Sequence, residues 1–388
     1  MINVFLTEKQ KRGLANKIED TNFEICSTSY FTEVLKHTTK SASVVAFGDI
    51  LKSNVAVKIS FARRDNGCDE MCVERFIYEH VISKLWEFSP NIIICYAISE
   101  CDDFWKNIKN DISMLANIQK QSKILERANY NISKIKQKNQ EYDFDTAHIL
   151  LLEKIKGESL NFVVYEDPHF NSKDMLTIFF QIFYTLNVFN IAGLKHNDLH
   201  MGNILVQYSS TPFEIIYNVS STDTWFKIRT HFLVKIFDFD RSWHPSLPST
   251  MRNTTLCECA GECDGENKKY DTFKLLYLMY LGSAVYKLVS DADDIIIEFC
   301  ESFIDKSLLK DKRYQYTKNL CKLQDSKNVT CPKPLDNSYC YGPLPAPPDN
   351  MIASTEMILH SQYFKKYQIV DKDEIADIKD ANIYYTDK

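Results

Sequence analysis

Several features that mark specialised protein classes are scarce in this sequence. Glycine occurs only 10 times in 388 residues, and the 12 cysteines are scattered, without the close spacing of small secreted disulfide-rich domains. The first residues, MINVFLTEKQKRG, contain no apolar run of the length that a secretory signal peptide needs. We therefore expect a reducing intracellular compartment, cytoplasmic or nuclear.

Long runs of one charge are also missing. The formal net charge is −6 and the pI is about 5.9, and no block of lysine and arginine is long or aromatic enough to predict a nucleic-acid surface. The late apolar stretch KLLYLMYLGSAVYKLV carries lysines and is too short to cross a bilayer. We expect a monomer that binds neither nucleic acid nor a membrane.

The sequence does contain enough apolar residues for one large core or two lobes, since 45% of them are hydrophobic and 13% aromatic. Residues 42–61 and 92–100 are rich in β-forming residues, whereas residues 69–88 repeat apolar positions every four residues, as one helix face does. Residues 104–140 have the spacing of an amphipathic helical insert outside the core. The stretch from Met175 to Ala192 is apolar on nearly all sides, which predicts a buried helix in a second, larger lobe.

Polar groups are concentrated directly after that helix. The segment KHNDLHMGNILV, from Lys195 to Val206, places polar side chains between apolar residues, among them His196, Asp198, His200 and Asn203. A short apolar strand, LVKIF, follows later and leads into Asp238-Phe239-Asp240. A buried strand would not contain such groups, so they predict a functional loop.

These two segments resemble the catalytic loop H-x-D-L-x-x-x-N and the metal-binding D-F-G of the protein-kinase superfamily, in the same order. Three further stretches are similar to family motifs: VAVK at 55–58, ILLLEKIKGESL at 149–160 and YDTFKLL at 270–276. In its divergent style the chain resembles haspin-like kinases and serine/threonine kinases of large DNA viruses. A viral source would extend the expected location to the host cell or the virion.

The resemblance implies an α+β, two-lobed fold, with an N-terminal antiparallel β-sheet plus one helix and a mainly helical C-terminal lobe. The implied divisions are an N-terminal extension at 1–30, an N-lobe at 31–155 that contains the insert at 104–140, a C-lobe at 156–365 and a tail at 366–388.

The resemblance also assigns roles in phosphoryl transfer from ATP with Mg²⁺. Asp198 would orient the acceptor hydroxyl and take its proton, with His200 as a second catalytic residue. Asn203 and Asp238 would hold the metal ion through oxygen atoms. His196 and Asp271 would be structural, since the first packs beneath the loop and the second holds its backbone.

The nucleotide contacts are predicted in the N-terminal lobe. Lys58 would contact the α- and β-phosphates and needs a carboxylate from the following helix to hold it there. Glu74 is the preferred partner and Glu79 the alternative. The remaining predicted contacts are Ser41 and Ser43 in the phosphate-covering loop and Glu153 and Ile155 in the adenine-binding hinge.

Three positions depart from the family pattern. The phosphate-covering stretch at 36–45 contains no glycine, although backbone N–H groups approach phosphates most closely where glycines are present. His200 stands where protein kinases usually have a lysine, and its imidazole is largely neutral at pH 7. Asp240 replaces the glycine of D-F-G, which restricts the backbone there.

A second candidate site lies in CECAGEC, where Cys257, Cys259 and Cys263 could bind zinc with His244 as a fourth ligand. The alternative reading is three free thiols.

The predicted function is transfer of the ATP γ-phosphoryl group to serine or threonine hydroxyls of a protein substrate. A small-molecule kinase of the aminoglycoside or choline kinase type is one alternative, suggested by the DLH loop. A non-catalytic pseudokinase is the other, suggested by the glycine-free loop. Asn197, where many protein kinases have an arginine that binds a phosphorylated activation segment, predicts activity without phosphorylation.

Overall fold

The computed structural model describes ten ranges of the chain: residues 8–20, 24–35, 43–63, 70–114, 119–138, 142–251, 268–286, 292–310, 348–369 and 382–385. The chain divides into two compact units. Unit 1 comprises Met1–Ser83 and Ile93–Ile155, and unit 2 comprises Lys84–Ile92 and Lys156–Lys388. The predicted boundaries at residues 30 and 365 stay predictions.

Unit 1 contains a five-stranded antiparallel sheet in the order β1-β2-β3-β5-β4. Its strands are β1 (Phe31–Val34), β2 (Val44–Ile50), β3 (Ser53–Arg63), β4 (Cys95–Asp102) and β5 (Tyr142–Glu153). Side chains alternate along β3, so that Val57 and Ile59 are fully buried while Lys58 between them points to the opposite face. Lys58 pairs in register with Val45 and Leu150 on the two neighbouring strands.

The helices of unit 1 begin with α1 (Glu8–Asp20). After β3 comes α2 (Glu70–Ile77), which continues through a π-helical turn at Tyr78–Ile82 into the short α3 (Ser83–Leu85), whose last two residues already belong to unit 2. Two more helices, α4 (Phe104–Met114) and α5 (Gln119–Lys138), separate β4 from β5.

The insert formed by α4 and α5 belongs to the core of unit 1, so the prediction that it lies outside the core was wrong. Leu125 and Ile132 of α5 are fully buried, and α5 packs along β1. The side chain of Asn131 donates a hydrogen bond of 2.8 Å to the carbonyl oxygen of Leu35, and Thr28 donates one of 2.6 Å to Asp111 on α4. The helical period was read correctly, but periodicity does not show what an apolar face will contact.

A disulfide joins Cys26, just before β1, to Cys101 on β4, across a sequence separation of 75 residues. The scattered cysteine spacing did not predict this bond. Among the other described cysteines, Cys300 is a buried free thiol and Cys95 a half-buried one. The predicted cellular location stays a prediction.

Unit 2 is built around α7 (Asp174–Ala192), whose side chains are buried on nearly all sides. Of the helices that the structure describes, α7 is the one that is long and apolar enough to cross a membrane, yet 78% of its apolar stretch is buried inside the protein, as in the core helix of a soluble protein. It ends at Gly193, whose left-handed φ of 77° lets the chain turn away. Within the described ranges, the other helices of unit 2 are α6 (Leu160–Glu166), α8 (Tyr270–Tyr286), α9 (Asp293–Phe303), α10 (Lys306–Lys310) and α11 (Thr355–Leu359).

The sequence predicts a hairpin between Val206 and Phe232 and a short strand at 233–237. The structure has one long hairpin that includes both, formed by β7 (Ile204–Val219) and β8 (Thr224–Ile236). Three short strands, β6 (Glu158–Ser159), β9 (Gln368–Ile369) and β10 (Asn382–Tyr385), extend it. Short 3₁₀-helices lie at Met201–Asn203, Ser220–Thr222, Ser249–Met251, Asp349–Met351 and Lys365–Tyr367. A sheet-rich first unit and a more helical second unit confirm the predicted α+β class.

Gly157 generates a prediction about the stability of unit 2. A methyl group there would overlap the carbonyl group of Val206 and come within 3.0 Å of the backbone nitrogen of Gln207. We expect Gly157→Ala to lower the free energy of unfolding by about 1–3 kcal/mol, because backbone atoms cannot move aside as a flexible side chain would.

The matched control is Gly13→Ala on α1, where the added methyl would meet nothing within 4 Å. This change should leave stability equal or raise it by up to about 1 kcal/mol, because alanine favours the helix. Urea denaturation followed by circular dichroism measures both variants. Equal unfolding midpoints for the two variants would contradict this prediction. They would show that β6 and β7 can move apart to admit the methyl group without loss of free energy of unfolding.

Candidate active site

The loop at residues 196–203 is held from below by a buried carboxylate. Asp271, in the first turn of α8 and 5% exposed, accepts hydrogen bonds from the backbone N–H groups of His196 at 2.6 Å and Asn197 at 2.8 Å. The ring of His196 lies with its Nε2 2.9 Å from the carbonyl oxygen of Phe237. These contacts confirm that Asp271 holds the loop backbone and that the buried ring of His196 bonds backbone, at Phe237.

The loop turns sharply at Asn197, whose φ is 62°. Asparagine adopts this left-handed conformation more readily than most residues. The turn is closed by a hydrogen bond of 2.8 Å from the N–H of Asp198 to the carbonyl oxygen of His196. Asp198 therefore leaves the buried part of the loop, and 19% of its side chain is exposed.

Three basic side chains surround the Asp198 carboxylate. Lys274 donates a hydrogen bond of 2.8 Å to Oδ1, whereas Arg241 Nη1 and His200 Nε2 lie 3.7 Å and 3.9 Å from Oδ2. Burial on its own would raise the pKa of this carboxyl, but the neighbouring charges, that of Lys274 first, outweigh it and hold the pKa below its ordinary value. Asp198 is therefore ionised at neutral pH and can only accept hydrogen bonds.

His200 has a local structural task. Its Nδ1 accepts a hydrogen bond of 3.0 Å from the N–H of Gly202 and so caps the 3₁₀-helix at Met201–Asn203. Burial lowers the pKa of the imidazole, and the nearby Asp198 offsets this only in part. A neutral ring whose Nε2 is 3.9 Å from the carboxylate makes no hydrogen bond to it, and its predicted catalytic role stays a prediction.

Asn203 and Asp238 flank the paired ends of β7 and β8, where Ile204 faces Ile236. The Asn203 side chain folds back, with Nδ2 3.0 Å from the carbonyl oxygen of Asp198, which leaves its amide oxygen Oδ1 as the acceptor. Its own carbonyl oxygen accepts the N–H of Phe237 at 3.2 Å. The backbone turns at Asp238, whose φ is 70°.

One amide and one carboxylate are oxygen ligands that suit Mg²⁺, which usually takes one or two protein ligands together with phosphates and water. No group of three or more His, Cys, Asp or Glu side chains that could hold a metal ion exists within the described ranges. The amide oxygen of Asn203 and the carboxylate of Asp238 are a donor set that fits a nucleotide-associated magnesium ion.

The predicted zinc site is not supported at His244. Its two ring nitrogens lie 2.6 Å from Ser246 Oγ and 3.0 Å from the carbonyl oxygen of Ala192, so both are engaged in local contacts. The other three proposed ligands, Cys257, Cys259 and Cys263, lie outside the described residues.

Unit 1 carries the second group of predicted residues. Lys58 Nζ lies 2.9 Å from Oε1 and 2.7 Å from Oε2 of Glu74, whose side chain is 1% exposed. The structure thus supplies the preferred partner for Lys58. The alternative, Glu79, has a half-exposed side chain with an oxygen 3.9 Å from Arg75.

The other predicted nucleotide contacts stay predictions. Ser43 is half-buried directly before β2, and Ser41 lies outside the described residues. Glu153 ends β5, and its N–H donates to the carbonyl oxygen of Ile94 at 2.8 Å. Ile155 is half-buried just after that strand.

The sequence analysis missed Lys274 and Arg241. Lys274 lies three residues after Asp271, a spacing that places two side chains side by side on one helix face. That spacing was visible in YDTFKLL. If the Asp of this stretch holds the loop, the lysine one helical turn later is expected to lie near the same loop. Arg241 carried no comparable signal, because its approach to Asp198 depends on how the chain turns after β8.

No protein-family model and no curated protein matches this chain. Among solved structures, the chain is similar to a MAP kinase from Leishmania major. The identity is 16% and the TM-score 0.40, and the match covers 96% of this chain and 91% of that one. The residue assignments above rest on the contacts within each unit and not on this likeness.

Proposed function

We propose that this chain is a protein kinase that transfers the γ-phosphoryl group of ATP, with Mg²⁺, to serine or threonine hydroxyls of a protein substrate. The observation that carries the proposal is the Asp198 carboxylate, which is half-buried, ionised and fixed at one oxygen by Lys274. Phosphoryl transfer needs alignment and charge stabilisation more than covalent chemistry. Such a group suits this task.

Asp198 would act on the acceptor hydroxyl. Since Lys274 occupies Oδ1, Oδ2 is the oxygen that can accept the hydroxyl hydrogen and point the acceptor oxygen along its line of attack. A carboxyl with a lowered pKa is a weak base, so it would take the proton late, when bond formation to phosphorus has made the hydroxyl acidic.

Asn203 and Asp238 would hold the metal ion through an amide and a carboxylate oxygen. When bound, Mg²⁺ neutralises phosphate charge and stabilises the leaving oxygen. What the protein contributes to metal binding is the fixed position of its two ligands, Asn203 and Asp238. Both are next to the paired ends of β7 and β8, and Asn203 is also bonded to the backbone of Asp198.

In unit 1, Lys58 would bind the α- and β-phosphates of ATP. Glu74 is almost completely buried, and a buried carboxylate without a partner costs several kcal/mol. The ion pair therefore holds both side chains in one arrangement, which is what a phosphate-binding lysine needs. A lysine that only neutralised Glu74 would not need to keep 15% of its side chain exposed.

The test between this function and its two alternatives is a kinase assay on purified protein with a mixed panel of protein and metabolite acceptors. Phosphorylated serine or threonine supports the proposal. Phosphorylation of metabolites alone would show a small-molecule kinase, and nucleotide binding without transfer to any acceptor would show a pseudokinase.

Asp198→Asn should lower the turnover number by roughly 10²–10⁴, because asparagine has the size of aspartate but cannot take the proton. Affinity for ATP and the thermal midpoint should change little. Steady-state kinetics at saturating ATP measure this, and Asp294→Asn, an exposed residue of α9, is the control. Full turnover in Asp198→Asn would remove the assigned role.

Asp238→Ala should abolish the part of nucleotide binding that depends on magnesium, because the charged ligand of the ion is lost. Isothermal titration with an ATP analogue that cannot be hydrolysed, with Mg²⁺ and with EDTA, measures that dependence. Wild-type affinity should fall sharply in EDTA, whereas the variant should bind equally weakly in both. An unchanged magnesium effect in the variant would place the ion elsewhere.

The chain should be active without phosphorylation of residues 241–269. Asn197 has no charge with which to bind a phosphate, and its side chain already donates a hydrogen bond of 3.1 Å to the carbonyl oxygen of Arg241. Phosphatase-treated bacterial protein, checked by mass spectrometry, should keep its initial rate. A loss of more than about tenfold, roughly 1.4 kcal/mol of barrier, that rephosphorylation restores would contradict this.

A further inference from the structure

The positive charge nearest to Asp198 comes from outside the loop 196–203. Lys274 belongs to α8, and its ammonium group donates hydrogen bonds of 2.7 Å to the carbonyl oxygen of Asn197 and 2.8 Å to Asp198 Oδ1. Its side chain is only 13% exposed. The residue of the loop that lies two positions after Asp198 is His200, whose Nδ1 is engaged with Gly202.

A positive charge in this position has a chemical use. The phosphoryl group in transfer carries negative charge on its three equatorial oxygens, and fixed charges at a site sheltered from water stabilise it best. A hydroxyl that donates to Asp198 Oδ2 would lie within a few ångströms of the Lys274 ammonium, because that group contacts the other oxygen of the same carboxylate at 2.8 Å.

We propose that Lys274 is a positioning residue for phosphoryl transfer: it fixes Asp198 through Oδ1, directs Oδ2 to the acceptor hydroxyl, and places its charge beside the reacting groups. This inference rests on the proposed kinase function and adds a residue to the same site.

A purely structural role does not account for the contact with the carboxylate. Asp271 already holds the backbone at His196 and Asn197 with two hydrogen bonds, and the Lys274 bond to the carbonyl oxygen of Asn197 is a third backbone contact. The bond to Asp198 Oδ1 adds no further backbone restraint. What it fixes is the side chain that meets the acceptor.

Arg241 is the weaker candidate for this task. Its guanidinium nitrogen lies 3.7 Å from Asp198 Oδ2 and its side chain is 34% exposed. At that distance it makes no hydrogen bond to the carboxylate, and solvent screens part of its charge. It adds to the positive field, while Lys274 sets the geometry.

The first experiment compares Lys274→Met, Lys274→Gln and Lys274→Arg in the full chain. We expect Lys274→Met to lower kcat by about 10²-fold or more, as loss of a preorganised charge does, with KM for ATP within about threefold of wild type. Lys274→Arg should recover at least about tenfold over Met. Lys306→Met, which removes a lysine that is 67% exposed, is the control and should keep wild-type kcat.

A second experiment moves the charge to a different residue. His200 Nε2 is 3.9 Å from Asp198 Oδ2, so a lysine at this position could reach the same carboxylate. His200→Lys in the Lys274→Met background should therefore be about tenfold more active than Lys274→Met alone. The single variant His200→Lys shows what the loss of the cap on Gly202 costs by itself, and thermal midpoints check folding.

The outcomes separate the two claims. If the wild type is active and Lys274→Met keeps the wild-type kcat, or differs only in a raised KM for ATP, the inference is overturned. The proposed kinase function then still stands. If Lys274→Met does not fold, Lys274→Gln decides, since it keeps a hydrogen-bond donor without the charge, and wild-type kcat in that variant overturns the inference. Wild type inactive on every acceptor overturns the proposed function and this inference together.

Discussion

Two hydrogen bonds from the backbone to the Asp271 carboxylate fix the loop on which the candidate site of unit 2 depends. Hydrogen bonds to a charged group contribute about 1.5–3 kcal/mol each, and those of His196 and Asn197 are made by adjacent N–H groups to the two oxygens of one carboxylate. Because α8 is itself buried in unit 2, the loop takes its position from the core. The left-handed turn at Asn197 follows directly, and so does the exit of Asp198 towards solvent.

The same helix also determines the electrostatics of the site. Asp271 and Lys274 are neighbours on one face of α8, so the residue that anchors the loop and the residue that holds Asp198 cannot move independently. The lysine charge keeps the carboxylate ionised in spite of its burial. The imidazole of His200 stays neutral for the opposite reason, since burial disfavours its charged form. One negative and one positive charge, in hydrogen-bonding contact, therefore define the centre of this site.

The sequence predicted those parts of the molecule that local order encodes. The spacing from Asp198 to Asn203, the Asp at 238 and the helical phase that favoured Glu74 over Glu79 are all short-range patterns, and the structure places Glu74 against Lys58. The missed features depend on contacts between distant residues: the burial of α5 along β1, the disulfide between Cys26 and Cys101, and the partnership of Lys274 with Asp198, 76 residues apart. An amphipathic pattern shows that a face will be covered but not which surface covers it, and a cysteine count does not show pairing.

At the start of the segment that follows Asp238-Phe239-Asp240, two kinds of contact involve no charged side chain. The backbones of Lys195 and Trp243 exchange two hydrogen bonds, of 2.9 Å and 2.8 Å, and Phe239 is fully buried with its ring 5.0 Å from that of His196. Backbone pairing and aromatic packing of this kind depend little on salt and need no ionised partner. The start of the segment is therefore ordered by the same loop that carries Asp198. A phosphate added further along the segment would find this end already held in place, so its charge could stabilise only the part of the segment beyond it.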